Sequence, residues 1–137
     1  MGELCVYKHG GELTMGDFCF IGPRTRVQSS KRILIGSRVL IAHDVNIMDN
    51  NSHPIDSKER HLDFARFLKY GFAEKIDLNE AEIIIEDDVW IGFGSTILKG
   101  VKIGRGSIIG SNTVITKDVE AFSMMVGNPA RLIKQTT

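Results

Sequence analysis

Residues 47–56 read IMDNNSHPID, which sets one imidazole, His53, behind a run of short polar side chains and directly ahead of Pro54. Imidazole is the side chain whose ordinary pKa lies nearest physiological pH, so it suits general-base work on a weak nucleophile. Such a base needs a partner on its second ring nitrogen to fix its orientation, and Asp49, Asn50, Asn51 and Ser52 are the local candidates. Asp49 comes first among them, as orienter or as a contact to the acceptor. Asn and Asp also favour turns, and a lone histidine can simply hydrogen-bond one, so the structural reading of this stretch stays open at this level.

The elements that must position His53 are visible as a repeat. Ile85, Ile91, Ile97, Ile103, Ile109 and Ile115 recur every six residues, as do Met15, Ile21, Val27 and Ile33, while Ile35, Ile41 and Ile47 follow the same beat offset by two. Positions six apart fan out around a helix but share one face of a strand, so the period argues β. Ser95, Val101, Ser107 and Thr113, two residues before successive isoleucines, are small or β-branched and lie on the same inward face. Glycines follow the apolar position at Gly22, Gly36, Gly92, Gly104 and Gly110, and recur near the turns at Gly94, Gly100 and Gly106, as repeated tight corners require. Short strands joined by corners and stacked on one another make a solenoid.

Counting on from Ile47, the next slot is residue 53, where His53 stands, and Ile85 lies 32 residues beyond it, out of step with the beat. Residues 54–82 are an excursion from the repeat that carries Phe64, Phe67, Leu68, Tyr70 and Phe72. Its aromatic content predicts an ordered loop that packs on something, with a short helical turn around residues 60–70.

Composition narrows the classes. The chain has 137 residues, 42% hydrophobic and 25% charged, with zero formal net charge. Those totals predict one soluble domain over 1–137 and argue against general nucleic-acid or membrane-surface binding. No apolar run approaches the roughly 20 residues of a membrane span and the N-terminus lacks the build of a signal peptide, so a cytoplasmic location is expected. Cys5 and Cys19 form no Cys-x-x-Cys pair and read as reduced thiols with packing roles.

The stretch VWIGFGSTILKGVKIGRGSIIGSNTVITKDVEAFSMMVGNPARLIK resembles the hexapeptide-repeat acyltransferases of the sugar and polysaccharide O-acetyltransferase type. That resemblance implies an all-β fold, a left-handed parallel β-helix of about five coils with one long loop (54–82) projecting, assembled as a homotrimer with active sites between subunits. It also implies acetyl-CoA as co-substrate, a carbohydrate acceptor, and direct attack of a hydroxyl on the thioester with His53 as base, since the family places its histidine at the root of such a loop and often before a proline. Ser95, Ser111, Thr116 and Lys117 match the family's coenzyme-binding motif, with Arg131 and Lys134 adding charge for the phosphates. Trp90 matches a tryptophan that some members carry near the histidine, where its N–H could meet the oxyanion or its ring a sugar; a coil-edge or subunit contact is the equal alternative. The helical N-terminal segment of the maltose and galactoside enzymes is missing here and the loop is longer, which leaves the acceptor open.

No metal is expected. The γ-class carbonic anhydrases on this fold bind zinc through histidines two of which are five apart, whereas His9, His43, His53 and His61 are spaced 34, 10 and 8. An amino sugar nucleotide acceptor would call for a carboxylate near the amine, from Asp49 or Asp56. A non-catalytic scaffold would have been signalled by loss of the histidine, and His53 is present.

Overall fold

The computed structural model describes residues 2–7, 10–73 and 75–136; His9 lies outside them. The chain winds through three faces in strict rotation. The first coil is β1 (Glu3–Val6), β2 (Leu13–Met15) and β3 (Phe20–Ile21), and the second β4 (Arg26–Ser29), β5 (Ile33–Ile35) and β6 (Leu40–Ile41). The third is β7 (Asn46–Met48), the helix α1 (Ser57–Tyr70), β8 (Ile83–Ile85) and β9 (Trp90–Ile91). The fourth is β10 (Thr96–Ile97), β11 (Lys102–Ile103) and β12 (Ile108–Ile109). The fifth holds β13 (Val114–Ile115) and β14 (Ser123–Gly127), with β15 (Ala130–Gln135) folding back antiparallel on β14. β1, β4, β7, β10 and β13 form the first face, β2, β5, β8 and β11 the second, and β3, β6, β9, β12, β14 and β15 the third.

The six-residue beat becomes three columns of isoleucine. Ile47, Ile97 and Ile115 stack inside the first face, Ile35, Ile85 and Ile103 inside the second, and Ile41, Ile91 and Ile109 inside the third, all 3% exposed or less. β-branched side chains suit this stacking because each sits on a pleated surface against a copy of itself, and burying one contributes about 1.5–3 kcal/mol. The small inward residues do more than fill space. Ser95 Oγ donates to the Gly110 carbonyl at 2.8 Å and accepts from the Thr113 N–H, while Ser107 does the same with Glu120 and Ser123. These hydroxyls stitch each coil to the next.

The two glycine sets have different causes. Gly94 has φ 68°, and the residue above it in the fifth coil, Asn112, has φ 53°, so this corner runs through the left-handed region. Gly92 is needed for close approach, because a Cβ there would lie 2.7 Å from Ser111 N and 2.9 Å from Gly110 C. Gly92→Ala is therefore expected to lose about 1–3 kcal/mol by forcing two coils apart, read as a lower melting temperature with unchanged far-ultraviolet circular dichroism.

All departures from the beat fall at one vertex, between the first and second faces. Val27 and Ile35 are eight residues apart, two more than the beat, which explains the offset of the Ile35 series. Ile47 and Ile85 are 38 apart, 32 more than the beat. The inward slot after Ile47 is thus filled by Ile83 and Ile85, paired with Ile33 and Ile35, and His53 is exposed outside the coil. The excursion differs from the expected loop with one helical turn: α1 runs 14 residues. Asp56 caps it, accepting from Lys58 N at 2.9 Å and Glu59 N at 3.0 Å, and Gly71 ends it at φ 81°. None of its residues is buried.

Candidate active site

His53 stands where the chain leaves the coil, and the root of the excursion is tied from both sides. Asn51 N–H donates to the Leu78 carbonyl at 3.0 Å and Ala81 N–H to the Asp49 carbonyl at 2.9 Å, while Lys99 Nζ reaches the Asn79 carbonyl at 2.7 Å. Ser52 takes φ 65°, its N–H bonded to Asn50 Oδ1 at 2.8 Å, and His53 N–H closes on the Asn51 carbonyl at 2.7 Å. Backbone bonds therefore fix the position of His53 and leave its ring exposed. No ring hydrogen bond joins it to another of the described residues.

Asp49 corrects an expectation. Its side chain is fully buried and turned inward under the wide vertex of the coil below, where it accepts from Ser30 N at 2.8 Å, Lys31 N at 2.9 Å, Arg32 N at 2.7 Å and Ser29 Oγ at 2.8 Å. With both oxygens so engaged it neither orients the imidazole nor meets an acceptor. Burial alone would push this carboxyl up, but the converging donors hold it below its ordinary value. Its link to His53 is indirect: Asn50 Nδ2 donates to Asp49 Oδ1 at 3.1 Å while Asn50 Oδ1 takes the Ser52 N–H. Asn50 is the residue that ties the buried anchor to the loop root.

A cavity of about 620 Å³ opens beside His53. The coil contributes Cys5, Val6, Tyr7 and Gln28; the root contributes Ser52 and His53; the excursion closes it with Asp63, Phe64, Phe67, Phe72, Ala73, Ile76 and Leu78. The turn at Gly71 brings Phe72 back onto Phe67, with ring centroids 4.8 Å apart. Burial, then Cys5 and Asp49, push the Tyr7 phenol up, and a hydrogen bond with Asn50 opposes them. Nothing local in the sequence marks Cys5, Tyr7 or Gln28 as lining residues, since they arrive from coils well below.

The residues matched to coenzyme binding are dispersed. Ser95 is fully buried with its hydroxyl bonded inside the coil, so it cannot touch a ligand, which corrects that assignment. Thr116 and Lys117 are exposed at the first-to-second vertex, the vertex of His53, two coils or roughly 10 Å further along by strand spacing. Ser111 is exposed at the third-to-first vertex, and Arg131 and Lys134 are exposed on β15. Trp90 faces outward on the third face, 52% exposed, in register with Leu40 and Ile108. In a triangular coil the first-to-second vertex lies opposite the third face. One chain therefore does not bring Trp90, Arg131 or Lys134 to His53.

His43 belongs to a different corner. Its ring stacks on Phe93 at 5.1 Å and its Nδ1 lies 2.7 Å from Asp44, which Arg24 grips with two bonds of 2.7 and 2.8 Å. Among the described residues no group of three or more His, Cys, Asp or Glu side chains could hold a metal ion, and no helix is long and apolar enough to cross a membrane.

Three sheets wound from one chain on a six-residue beat, parallel but for β15, define the class as a hexapeptide β-helix. Residues 82–117 match the family model for bacterial transferase hexapeptides (six repeats). A chloramphenicol acetyltransferase of Klebsiella aerogenes is 31% identical over 126 residues, 90% of this chain and 51% of the relative. A maltose O-acetyltransferase from Clostridium difficile 630 superposes with a TM-score of 0.74 at 28% identity, over 100% of this chain and 69% of that one. An acetyltransferase from Vibrio cholerae O1 biovar eltor, solved with acetyl coenzyme A, gives 0.57 at 26%, over 93% and 70%. Residues 82–117 carry the repeat of the hexapeptide transferases, and the chain has the left-handed β-helix fold of its structural neighbours. It spans about half the length of the curated relatives it matches.

Proposed function

We propose that the protein transfers an acetyl group from acetyl-CoA to a hydroxyl of a sugar or polysaccharide, with His53 as general base. The observation that carries this reading is the placement of His53: an exposed imidazole on a backbone-fixed root, at the mouth of a ligand-sized cavity, on the vertex that also carries Thr116 and Lys117. His53 takes the acceptor O–H proton as the oxygen attacks the thioester carbonyl. The C–S bond then breaks and the imidazolium returns the proton to the departing thiolate, so no acyl-enzyme is needed. The maltose O-acetyltransferase and the acetyl-CoA complex among the structural neighbours support the donor and the acceptor class.

Hydroxyl rather than amine acceptance is favoured by the fate of the two carboxylates that would have suited an amine. Asp49 is consumed by a buried turn and Asp56 by the helix cap. The test is release of free coenzyme A thiol from acetyl-CoA with a panel of sugars, oligosaccharides and amino sugar nucleotides. Release that appears only with the amino sugar nucleotides would overturn the hydroxyl assignment, and no acceptor-dependent release at all would sink the transferase reading.

The split of the site across opposite sides of the coil supports a homotrimer in which the third face of one subunit meets the His53 vertex of the next, bringing Trp90, Arg131 and Lys134 to it. The third face carries an outward apolar column, Phe20, Leu40, Trp90, Ile108 and Met124, in continuous register. Leu62, Leu68 and Tyr70 of α1 are also uncovered in the single chain. Leu40→Glu places a charge in the middle of that column and is expected to shift sedimentation from trimer to monomer and to remove activity with it. A monomeric wild type, or a fully active monomeric variant, would refute the shared site.

A further inference from the structure

We infer that the cavity beside His53 is the acceptor subsite and that it takes an aromatic group carried by the hydroxyl compound, so that the preferred acceptor is an aryl-bearing alcohol or glycoside rather than an unadorned sugar. The inference rests on the general-base reading of His53 and narrows its substrate.

Position assigns the cavity to the acceptor. It lies over the first and second coils, where Cys5 and Gln28 form its floor, whereas Thr116 and Lys117 lie on the fifth coil. His53, on the third, stands between them. A donor approaching along the later coils meets the imidazole from one side and leaves the cavity free on the other. The reacting hydroxyl then projects out of the cavity toward His53, the C–O bond forms as the C–S bond breaks, and the proton passes through the imidazole to the thiolate.

Lining chemistry assigns the aromatic group. Val6, Phe64, Phe67, Phe72, Ile76 and Leu78 supply walls without hydrogen-bonding side chains. Two of the polar side chains there are hydrogen-bonded within the chain, Ser52 Oγ to Met48 Sδ at 2.9 Å and the Tyr7 phenol to Asn50, and Asp63 lies 4.0 Å from Arg66, so few polar groups face the apolar walls. A bare pyranose presents several hydroxyls and would bury most of them unpaired, which is strongly disfavoured. A flat ring asks for no partners, and the tilted Phe67–Phe72 pair offers it edge and face contacts. A volume of about 620 Å³ has room for an aryl group together with the atoms that link it to the hydroxyl.

The experiment compares matched acceptors, phenyl and methyl glucosides and galactosides, by thiol release from acetyl-CoA, and measures binding of the phenyl glycosides by calorimetry. It uses wild type, Phe67→Ala and Cys5→Phe, the last of which fills the cavity from its floor. The expected result is a phenyl-over-methyl preference in kcat/KM of about 10- to 100-fold in the wild type, reduced in Phe67→Ala and absent in Cys5→Phe, with phenyl glycoside binding lost in parallel. Equal rates for phenyl and methyl acceptors, with release still dependent on His53, would overturn the aromatic subsite and leave the transferase reading intact. Binding of phenyl glycosides that Cys5→Phe abolishes, with no thiol release from any acceptor, would uphold the cavity as an aryl site and overturn the transferase reading. Neither binding nor preference would overturn the inference outright. Circular dichroism and melting temperature on both variants separate a lost subsite from a lost fold.

Discussion

His53→Ala is expected to lower kcat for acetyl transfer by about 10²- to 10⁴-fold while leaving the fold and the affinity for acetyl-CoA unchanged. The size follows from the chemistry, because an alcohol is a poor nucleophile until its proton is removed and no other described side chain at the root can accept it: Asp49 is buried under its turn and Ser52 is itself a hydroxyl. The absence of a stability effect follows from the geometry. The turn at this position is held by His53 N–H on the Asn51 carbonyl and by Ser52 N–H on Asn50 Oδ1, bonds that alanine retains. An exposed side chain with no ring partner among the described residues contributes within about 0.5 kcal/mol either way. Thiol-release kinetics and a thermal melt on the same preparation separate the alternatives. A histidine that merely closes a turn would lower the melting temperature and leave kcat alone; a full rate in the variant would remove His53 from the mechanism.

The coil was legible because its determinants are local and repeated. Ile97, Ile103, Ile109 and Ile115 announce a period that only a strand can use, and stacking makes each isoleucine bury the next. Counting failed where the period was interrupted. The step from Ile47 to residue 53 assumed an unbroken beat, yet the wide first-to-second vertex had already inserted two residues between Val27 and Ile35, and the slot belonged to Ile83 and Ile85. His53 stands out for a reason other than register, its place ahead of Pro54 where the chain leaves the coil. The full length of α1 has a local signal: Asp56-Ser57-Lys58-Glu59 has the spacing of an N-terminal cap with an acid in the first turn, and Gly71 marks the end. Ser95 matches the coenzyme motif and also falls on the inward face, and these two roles exclude one another in a coil with no room inside. The cavity was not legible, because Cys5, Gln28 and Phe67 meet only when the excursion folds back over coils that precede it.

Asp49→Ala is expected to destabilise the protein by about 3–5 kcal/mol, a larger loss than for any surface ion pair in the chain. Arg24–Asp44 and Arg38–Asp88 are well aligned, but they are solvated and exchange water contacts for each other. Asp49 is different in kind. Three backbone N–H groups from Ser30, Lys31 and Arg32, the Ser29 hydroxyl and the Asn50 amide converge on it, and alanine would leave them facing a cavity too small to rehydrate them all. The same carboxylate explains how a vertex two residues too wide stays closed. Its pH dependence has a definite sign: a carboxyl held below its ordinary value contributes stability that is complete above about pH 4 and is lost as pH falls through its folded-state pKa. The gap in melting temperature between wild type and Asp49→Asn, which cannot ionise, is therefore expected to be constant from pH 5 to 8 and to narrow below about pH 4. A gap unchanged at low pH would mean that shape rather than charge holds the vertex. A slower acetyl transfer in Asp49→Asn at temperatures where it remains folded is also expected, because Asn50 transmits the anchor to Ser52 and so to His53.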